Sequence, residues 1–422
     1  MLKCGFFEHD ITPPLGAQMP GYFEVRLVTG IKEPLEAVAA VFSDDEGVKS
    51  VIVACDAIQV PPQINLAARR EIAGKLGCGE ECVTVHATHV HTGGPVLDFI
   101  CTEDAEYGKF LGQRIVDCAV FAAARQTEVK LGYAHAFDGT LANYRDRVLP
   151  DGSLRTNAGG ETKPYGKIDP EIGCLFIDSP CGEHLGAIVN YACHTDCVGG
   201  TEFSSDFPGA LRDTLRAVWG ESFFTVFLNG FFGNLNHITF EDRSICGRPG
   251  YYRSMGRKLA GHVIAAAEEA EWMEDPKITA AAETLVVRTR KPDAELLAWA
   301  DAILAAPEKA ATDDLHFAAE AKAVEARGQI DFLLCLQFVR FGGVNLFATP
   351  QEMFVEFEYM IKEGSDSRHN LVACNSNGGC GYVPTRELHA PGIYEARLDR
   401  GKLEIDTGCK MVDTLLNLMK TR

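Results

Sequence analysis

Three histidines, His86, His89 and His91, close the stretch Val83-Thr84-Val85-His86-Ala87-Thr88-His89-Val90-His91-Thr92-Gly93-Gly94-Pro95, an apolar β-branched run broken by Gly93, Gly94 and Pro95. Imidazoles delivered where a strand stops suit a metal site. Successive side chains of an extended chain face opposite ways, so His89 and His91 project to one side and His86 to the other. That pair fixes two ligands where zinc takes three or four, so further ligands must come from elsewhere. The competing interpretation is a pair of satisfied structural histidines.

Other residues that could do chemistry are spread along the chain. Asp56 places a carboxylate at the end of an apolar run, and Asn190-Tyr191-Ala192-Cys193-His194 again sets a histidine at an apolar strand's end. Cys193 and Cys197 flank His194, and Cys78 with Cys82 repeats the spacing. Neither has the two-residue gap of a zinc knuckle, so buried free thiols are expected. Asn143 and Arg145 sit in a polar loop whose default role is solvation, and Asn229 to His237 is a glycine-punctuated turn carrying Asn234, Asn236 and His237. Thr349 and Glu352, with Pro350 between, have capping-box spacing, which gives Glu352 a structural role at a helix start. Asp206 reads as an N-cap ahead of Pro208, and Tyr382, in a glycine-rich loop from Gly378 to Thr385, as a packing residue.

The elements that position these residues alternate. Runs at 36–43 and 48–54 read as adjacent strands. Ile64, Ala68, Ile72 and Leu76 then form one face of a helix opened by Pro61-Pro62 and closed by Gly77. With the histidine strand this makes a strand, helix, strand unit and argues for α/β layering. Residues 103–125 follow as a helix with Phe110, Leu111, Ile115, Val116 and Cys118 inward. Strands at 172–178 and 185–192 form a hairpin, and further helices cover 251–271 and Met353–Lys362. Residues 291–328 read as two surface helices parted near Pro307, without chemistry, as an insertion or an oligomer contact. The fold class is α/β, mixed central sheets flanked by helices in one large domain over 1–422. An eight-fold barrel is disfavoured because hairpins interrupt the required repeats.

Composition bounds the partners. With 40 Lys and Arg against 59 Asp and Glu, a formal charge of -19, the 422-residue chain opposes nucleic acid and anionic membranes, and a small-molecule substrate fits better. No run approaches the ~20 apolar residues of a membrane span, and the first residues lack a signal-peptide core. The 15 cysteines are odd in number and scattered, which argues for reduced thiols and a cytoplasmic location.

Thr88 to Pro95, Asn143 to Arg145, the strand ending at His194, Asn229 to His237, Pro350-Gln351-Glu352 and Gly381-Tyr382-Val383-Pro384-Thr385 together resemble the catalytic domain of the neutral/alkaline ceramidase family. The six motifs occur in the same order, from about Gly5 to Glu395. The resemblance implies a Zn2+ site made by His89, His194, Glu352 and Tyr382, with His91 beside the metal and Arg145 on the reacting carbonyl or its oxyanion. It implies amide (N-acyl) hydrolysis by a metal-activated water. Asp56, Asn143, Asn234 and His237 are candidate substrate contacts. Glu352 in a helix's first turn would have its carboxylate favoured by the helix dipole.

Two departures stand out. The family turn Gly-Asp-Val-Ser-Pro is Gly233-Asn234-Leu235-Asn236-His237 here, so Asn236 replaces the serine and can only donate or accept hydrogen bonds. The chain also lacks the immunoglobulin-like module and secretion signal, which points away from ceramide itself. The alternatives are a metal-dependent lyase, a glycoside or ester hydrolase using Arg145, Asn236 and His237, or a binding protein keeping the metal as a structural staple. Homo-oligomers remain open.

Overall fold

The computed structural model describes residues 1–97, 101–379 and 381–421; Cys380 of the glycine-rich loop lies outside them. Its organising feature is one arrangement met three times: a mixed sheet whose parallel strand pair is joined by a crossover helix. In the first sheet Lys49–Cys55 runs through α1 (Pro62–Leu76) to Val83–Ala87, with Glu36–Ser43 and Lys3–Asp10 completing it antiparallel. In the second, after α2 (Ala105–Ala124), His184–Tyr191 runs through α3 (Asp206–Trp219) to the parallel Phe224–Asn229, beside Glu171–Asp178 and Lys130–Phe137.

After α4 (Tyr251–Ala267), the helices α5 (Ala294–Ala305) and α6 (Thr312–Arg327) lie between the antiparallel strands Ile278–Arg288 and Asp331–Phe341 of the third sheet. Its parallel pair is Val344–Ala348 and His369–Ala373, joined by α7 (Val355–Gly364), and α8 (Thr407–Lys420) ends the described chain. Residues 294–327 lie between two antiparallel strands at a sheet edge. Mixed sheets flanked by helices are the expected class, and among the described residues no sheet closes into a barrel.

Both faces of the sheets are buried, which is why their strands read as near-continuous apolar runs. Phe42, Ile52, Leu175, Ile188, Val226, Val339, Leu346 and Leu371, drawn from all three sheets, share one central cluster. The opposite faces each take a helix pair: α1 and α2 through Ile72, Leu111 and Ile115, α3 and α4 through Leu211 and Leu259, α7 and α8 through Phe357 and Met411. In α2, Phe110 breaks its expected pattern, being 37% exposed while Leu111, Ile115, Val116 and Cys118 are buried.

A parallel pair puts the carboxyl ends of two neighbouring strands at the same edge, the usual place for a ligand in open α/β sheets. Loops leaving these ends carry Asp56, His89, His91, His194, Asn234, Asn236, Glu352 and Tyr382.

Candidate metal centre

The strand Val83–Ala87 stops before the two site histidines, and His89 has φ +69°, in the left-handed region that few side chains adopt. Strand alternation therefore does not align His89 with His91; a local backbone reversal does, held by His89 N donating to Ala57 O and His91 N to Thr195 O. His86 faces away, as expected. Fully buried, it contacts Ser376 Oγ through Nδ1 at 3.0 Å and accepts from Asn229 N through Nε2, a structural histidine.

Three imidazoles converge: one ligand atom from each of His89, His91 and His194 lies within 4.8 Å of the others. His89 Nδ1 donates to Ile58 O at 2.8 Å, His91 Nδ1 to Gly21 O at 3.1 Å and His194 Nδ1 to Leu235 O at 3.2 Å. Carbonyls only accept, so these contacts put the proton of His91 and His194 on Nδ1 and turn the Nε2 lone pair inward, while His89 Nδ1 also meets the Asn375 side-chain nitrogen at 2.8 Å. The Nε2 atoms of His89 and His91 stand 3.3 Å apart. Glu352 Oε2 lies 3.5 Å from His89 Nε2 and 3.6 Å from His194 Nε2, buried without a hydrogen-bond partner. The Tyr382 hydroxyl is 3.3 Å from His194 Nε2. Inward imidazole nitrogens beside a carboxylate oxygen without a hydrogen-bond partner are a donor set that could hold a divalent cation; two or three imidazoles and one carboxylate suit zinc. Burial holds His91 and His194 well below the usual imidazole pKa, so both are neutral.

Glu352 and Tyr382 meet because Glu352–Met353 and Tyr382–Val383 pair in parallel, register Glu352 to Tyr382. Glu352 is thus not in a first helical turn. It precedes α7, whose N-cap is Phe354, so neither the capping box nor the dipole argument applies. The cap comes from another segment: Asn234 Oδ1 accepts from Val355 N at 2.9 Å and Asn234 Nδ2 donates to Glu356 Oε2 at 2.9 Å. Asp206 also differs from its expected place, being the first residue of α3 with φ +54° and accepting from Phe207 N and Val198 N.

Arg145 crosses the opposite side, its Nη1 3.3 Å from His194 Nε2 and its guanidinium 5.2 Å from the Tyr382 ring centre. Its Nε pairs with Glu395, which is fully buried and also takes Thr156 Oγ1 at 2.9 Å. Burial opposes the charge on Arg145, but Glu395 and Tyr382 more than offset it and hold the guanidinium above its usual value. The solvated-loop expectation for Arg145 gives way to a buried cation.

Solved structures similar in fold include "neutral ceramidase from Pseudomonas aeruginosa", at TM-score 0.75 and 18% identity, and "Ceramidase complexed with C2", at 0.74 and 17%. The fold is that of neutral ceramidase. Each match covers 99% of this chain and 74% of the ceramidase chain. No protein-family model and no curated protein sequence matches.

On this ceramidase-like frame the remaining candidates divide. Asp56, 0% exposed, holds Arg212 Nη2 at 2.5 Å, Thr88 Oγ1 at 3.1 Å and Glu36 N at 3.0 Å, which makes it an anchor below the histidine loop rather than a group open to a substrate. Asn234 is likewise consumed by α7. Asn143 and Asn236 are paired across a short antiparallel bridge, and Asn236 Oδ1 accepts from Ile238 N at 3.1 Å. His237 is buried with Nδ1 unpartnered, its pKa lowered to about 4 chiefly by burial, and Asp196 and His91 act on its charge.

Several partners carry no recognisable sequence signal. Tyr22 OH donates to Asp196, whose Oδ1 is 3.8 Å from His91 Nδ1, and Arg26 Nη2 donates to His91 O at 2.6 Å. Asn375 lies 2.8 Å from His89 Nδ1. Arg26 opens the two-residue strand Arg26–Leu27, and no pattern in the sequence singles it out. The described cysteines, Cys193 and Cys197 included, are free thiols. Residues 291–328, assigned no chemistry from sequence, wall a cavity of about 630 Å³ through Leu296, Trp299 and Phe317.

Proposed function

We propose that the protein is a zinc-dependent hydrolase that cleaves an amide (N-acyl) bond of a small molecule, with water as the nucleophile. The observation that carries this reading is the buried Glu352 oxygen without a partner, facing inward-turned imidazoles across from a buried arginine. His89, His194 and Glu352 would hold the metal, with Tyr382 beside them, and zinc bound there supplies the Lewis acidity that makes water nucleophilic near neutral pH. The two similar structures bear the ceramidase name, and amide hydrolysis is the chemistry that name carries.

The chain's own groups serve the remaining steps. Arg145, locked by Glu395, faces the site as a preorganised cation for the carbonyl oxygen as negative charge grows on it. His91 is neutral with its proton on Nδ1, so Nε2 accepts the proton of the attacking water and returns it to the leaving nitrogen as the C–N bond breaks. Gly21 O and the Asp196 carboxylate near Nδ1 orient the ring and favour the cation it becomes. The products are a carboxylic acid and an amine. Asn236 replaces the serine of the ceramidase turn, so substrate contacts there are hydrogen bonds from an amide, and selectivity differs from ceramidase. Among the described residues no helix is long and apolar enough to cross a membrane, and the free thiols support a cytoplasmic setting.

Turnover of N-acyl amides, glycosides and esters, followed by released amine, sugar or alcohol with and without a zinc chelator, tests this reading. Amide cleavage abolished by the chelator and restored by zinc is expected. Chelator-insensitive cleavage, or turnover confined to glycosides or esters, contradicts it.

A further inference from the structure

The cavity of about 630 Å³ under the α5–α6 pair lies within the size range of small-molecule sites. One side is apolar and aromatic, with Leu296 and Trp299 from α5 and Phe317 from α6; Arg290 and His389 line it as well, and Tyr394 adds a further wall. Arg290 spends its bonds on neutral acceptors, Nε on Gly401 O at 2.8 Å and Nη2 on Ala396 O at 2.5 Å, and no carboxylate pairs with it among the described residues. His389 Nδ1 is buried there without a hydrogen-bond partner. Of the acids that line the cavity, Asp399 pairs with Arg400 at 3.1 Å and His316 at 3.7 Å, Asp293 caps α5 by accepting from Leu296 N, and Glu295 stands in the first turn of α5. Burial lowers Arg290 to about 10 against the opposing pull of Asp293 and Asp399, and burial with Arg290 and Arg386 lowers His389 to about 4, so the cavity offers a buried guanidinium beside a neutral imidazole.

We infer that this cavity binds a carboxylate-bearing amphiphile, its apolar body against Leu296, Trp299 and Phe317 and its carboxylate at Arg290 and His389. An arginine with spare donors is the side chain suited to a carboxylate, and a flat aromatic wall suits an acyl chain or ring. The ligand has the chemical form of the acid that an N-acyl hydrolase releases; that link rests on the proposed function, whereas binding itself does not. The cavity shares a wall with the metal centre. Tyr394 lines it and its ring centre lies 5.9 Å from that of Tyr382, while Thr156, also lining it, receives Tyr394 N and donates to Glu395, the partner of Arg145. An occupant therefore bears on the segment that holds Arg145.

Calorimetric titration with octanoate and with octanamide, equal in apolar body and different in charge, tests this in the full chain. Octanoate is expected to bind at least about tenfold more tightly, a gap of about 1.4 kcal/mol. Arg290→Met is expected to remove that preference and Trp299→Ala to weaken both probes. Should Arg290→Met fail to fold, Leu296→Glu, on the partly exposed α5, sets a like charge in the cavity and is expected to exclude octanoate more than octanamide. His194→Ala is expected to leave octanoate binding unchanged, so loss of metal or turnover in that variant bears on the hydrolase alone. Equal affinity for the two probes, no binding of either, or octanoate binding unaltered by Trp299→Ala overturns the inference.

Discussion

At the scale of single residues, the centre rests on a Glu352 oxygen without a hydrogen-bond partner beside the His89 and His194 rings, across from Arg145. Arg145→Met removes the only arginine that touches His194 among the described residues, and a fall in kcat of about 10²–10³ at little cost in metal content is expected, the size seen when one oxyanion donor is lost. Glu395→Gln keeps a hydrogen-bonding shape but leaves Arg145 without its carboxylate. It is expected to lower kcat less than Arg145→Met does; full activity in Glu395→Gln contradicts the positioning role. His89 and His91 are legible in sequence because they stand two apart after a strand. Tyr22 and Asp196 are not, because the bond that gives them meaning joins residues 174 apart, and neither stands in a pattern of its own.

Elements explain why the centre forms where it does. The strand, helix, strand reading of residues 48–91 extends to two further units, and the carboxyl ends of their parallel strands deliver the other site loops. Where sequence reasoning fails, a partner from a distant segment has taken over a local role. Thr349-Pro350-Gln351-Glu352 spells a capping box, yet Asn234 caps α7, and Glu352 is freed to face the histidines. Asn234→Ala is expected to cost about 1 kcal/mol, the worth of a helix cap, read from the urea midpoint. The same turn brings Gly233 against the Glu352 backbone, where a Cβ would lie 2.6 Å from Glu352 O and 2.8 Å from Met353 O. Gly233→Ala is therefore expected to displace Glu352 and lower zinc content as well as stability; a fully loaded, stable Gly233→Ala protein contradicts that packing.

Across the whole molecule, three sheets share one central core and their helix pairs face outward, so the site is held by elements from all three sheets. Burial lowers His86 to about 3 and His237 to about 4, below the usual imidazole value near 6.5. The unfolded chain thus binds more protons than the folded one between those values. Their contribution is whole above about pH 6.5 and is lost as pH falls toward 4 and 3. Burial raises Asp206 and Glu358 to about 7, which acts the other way over the same range, so the test is specific to one ring: His237→Asn is expected to lose less of its urea midpoint than the unaltered protein between pH 7.5 and pH 4.5, and an equal change contradicts a neutral buried His237. The mixed α/β class was readable from periodicity; the threefold recurrence was not, because it is a likeness of arrangement with no repeated sequence to carry it. Metal analysis of protein purified without chelator is the most direct measurement of all: about one zinc per chain, lost in His194→Ala and in Glu352→Gln, is the expected result, whereas no bound metal, or full retention in His194→Ala, contradicts a centre built from these groups.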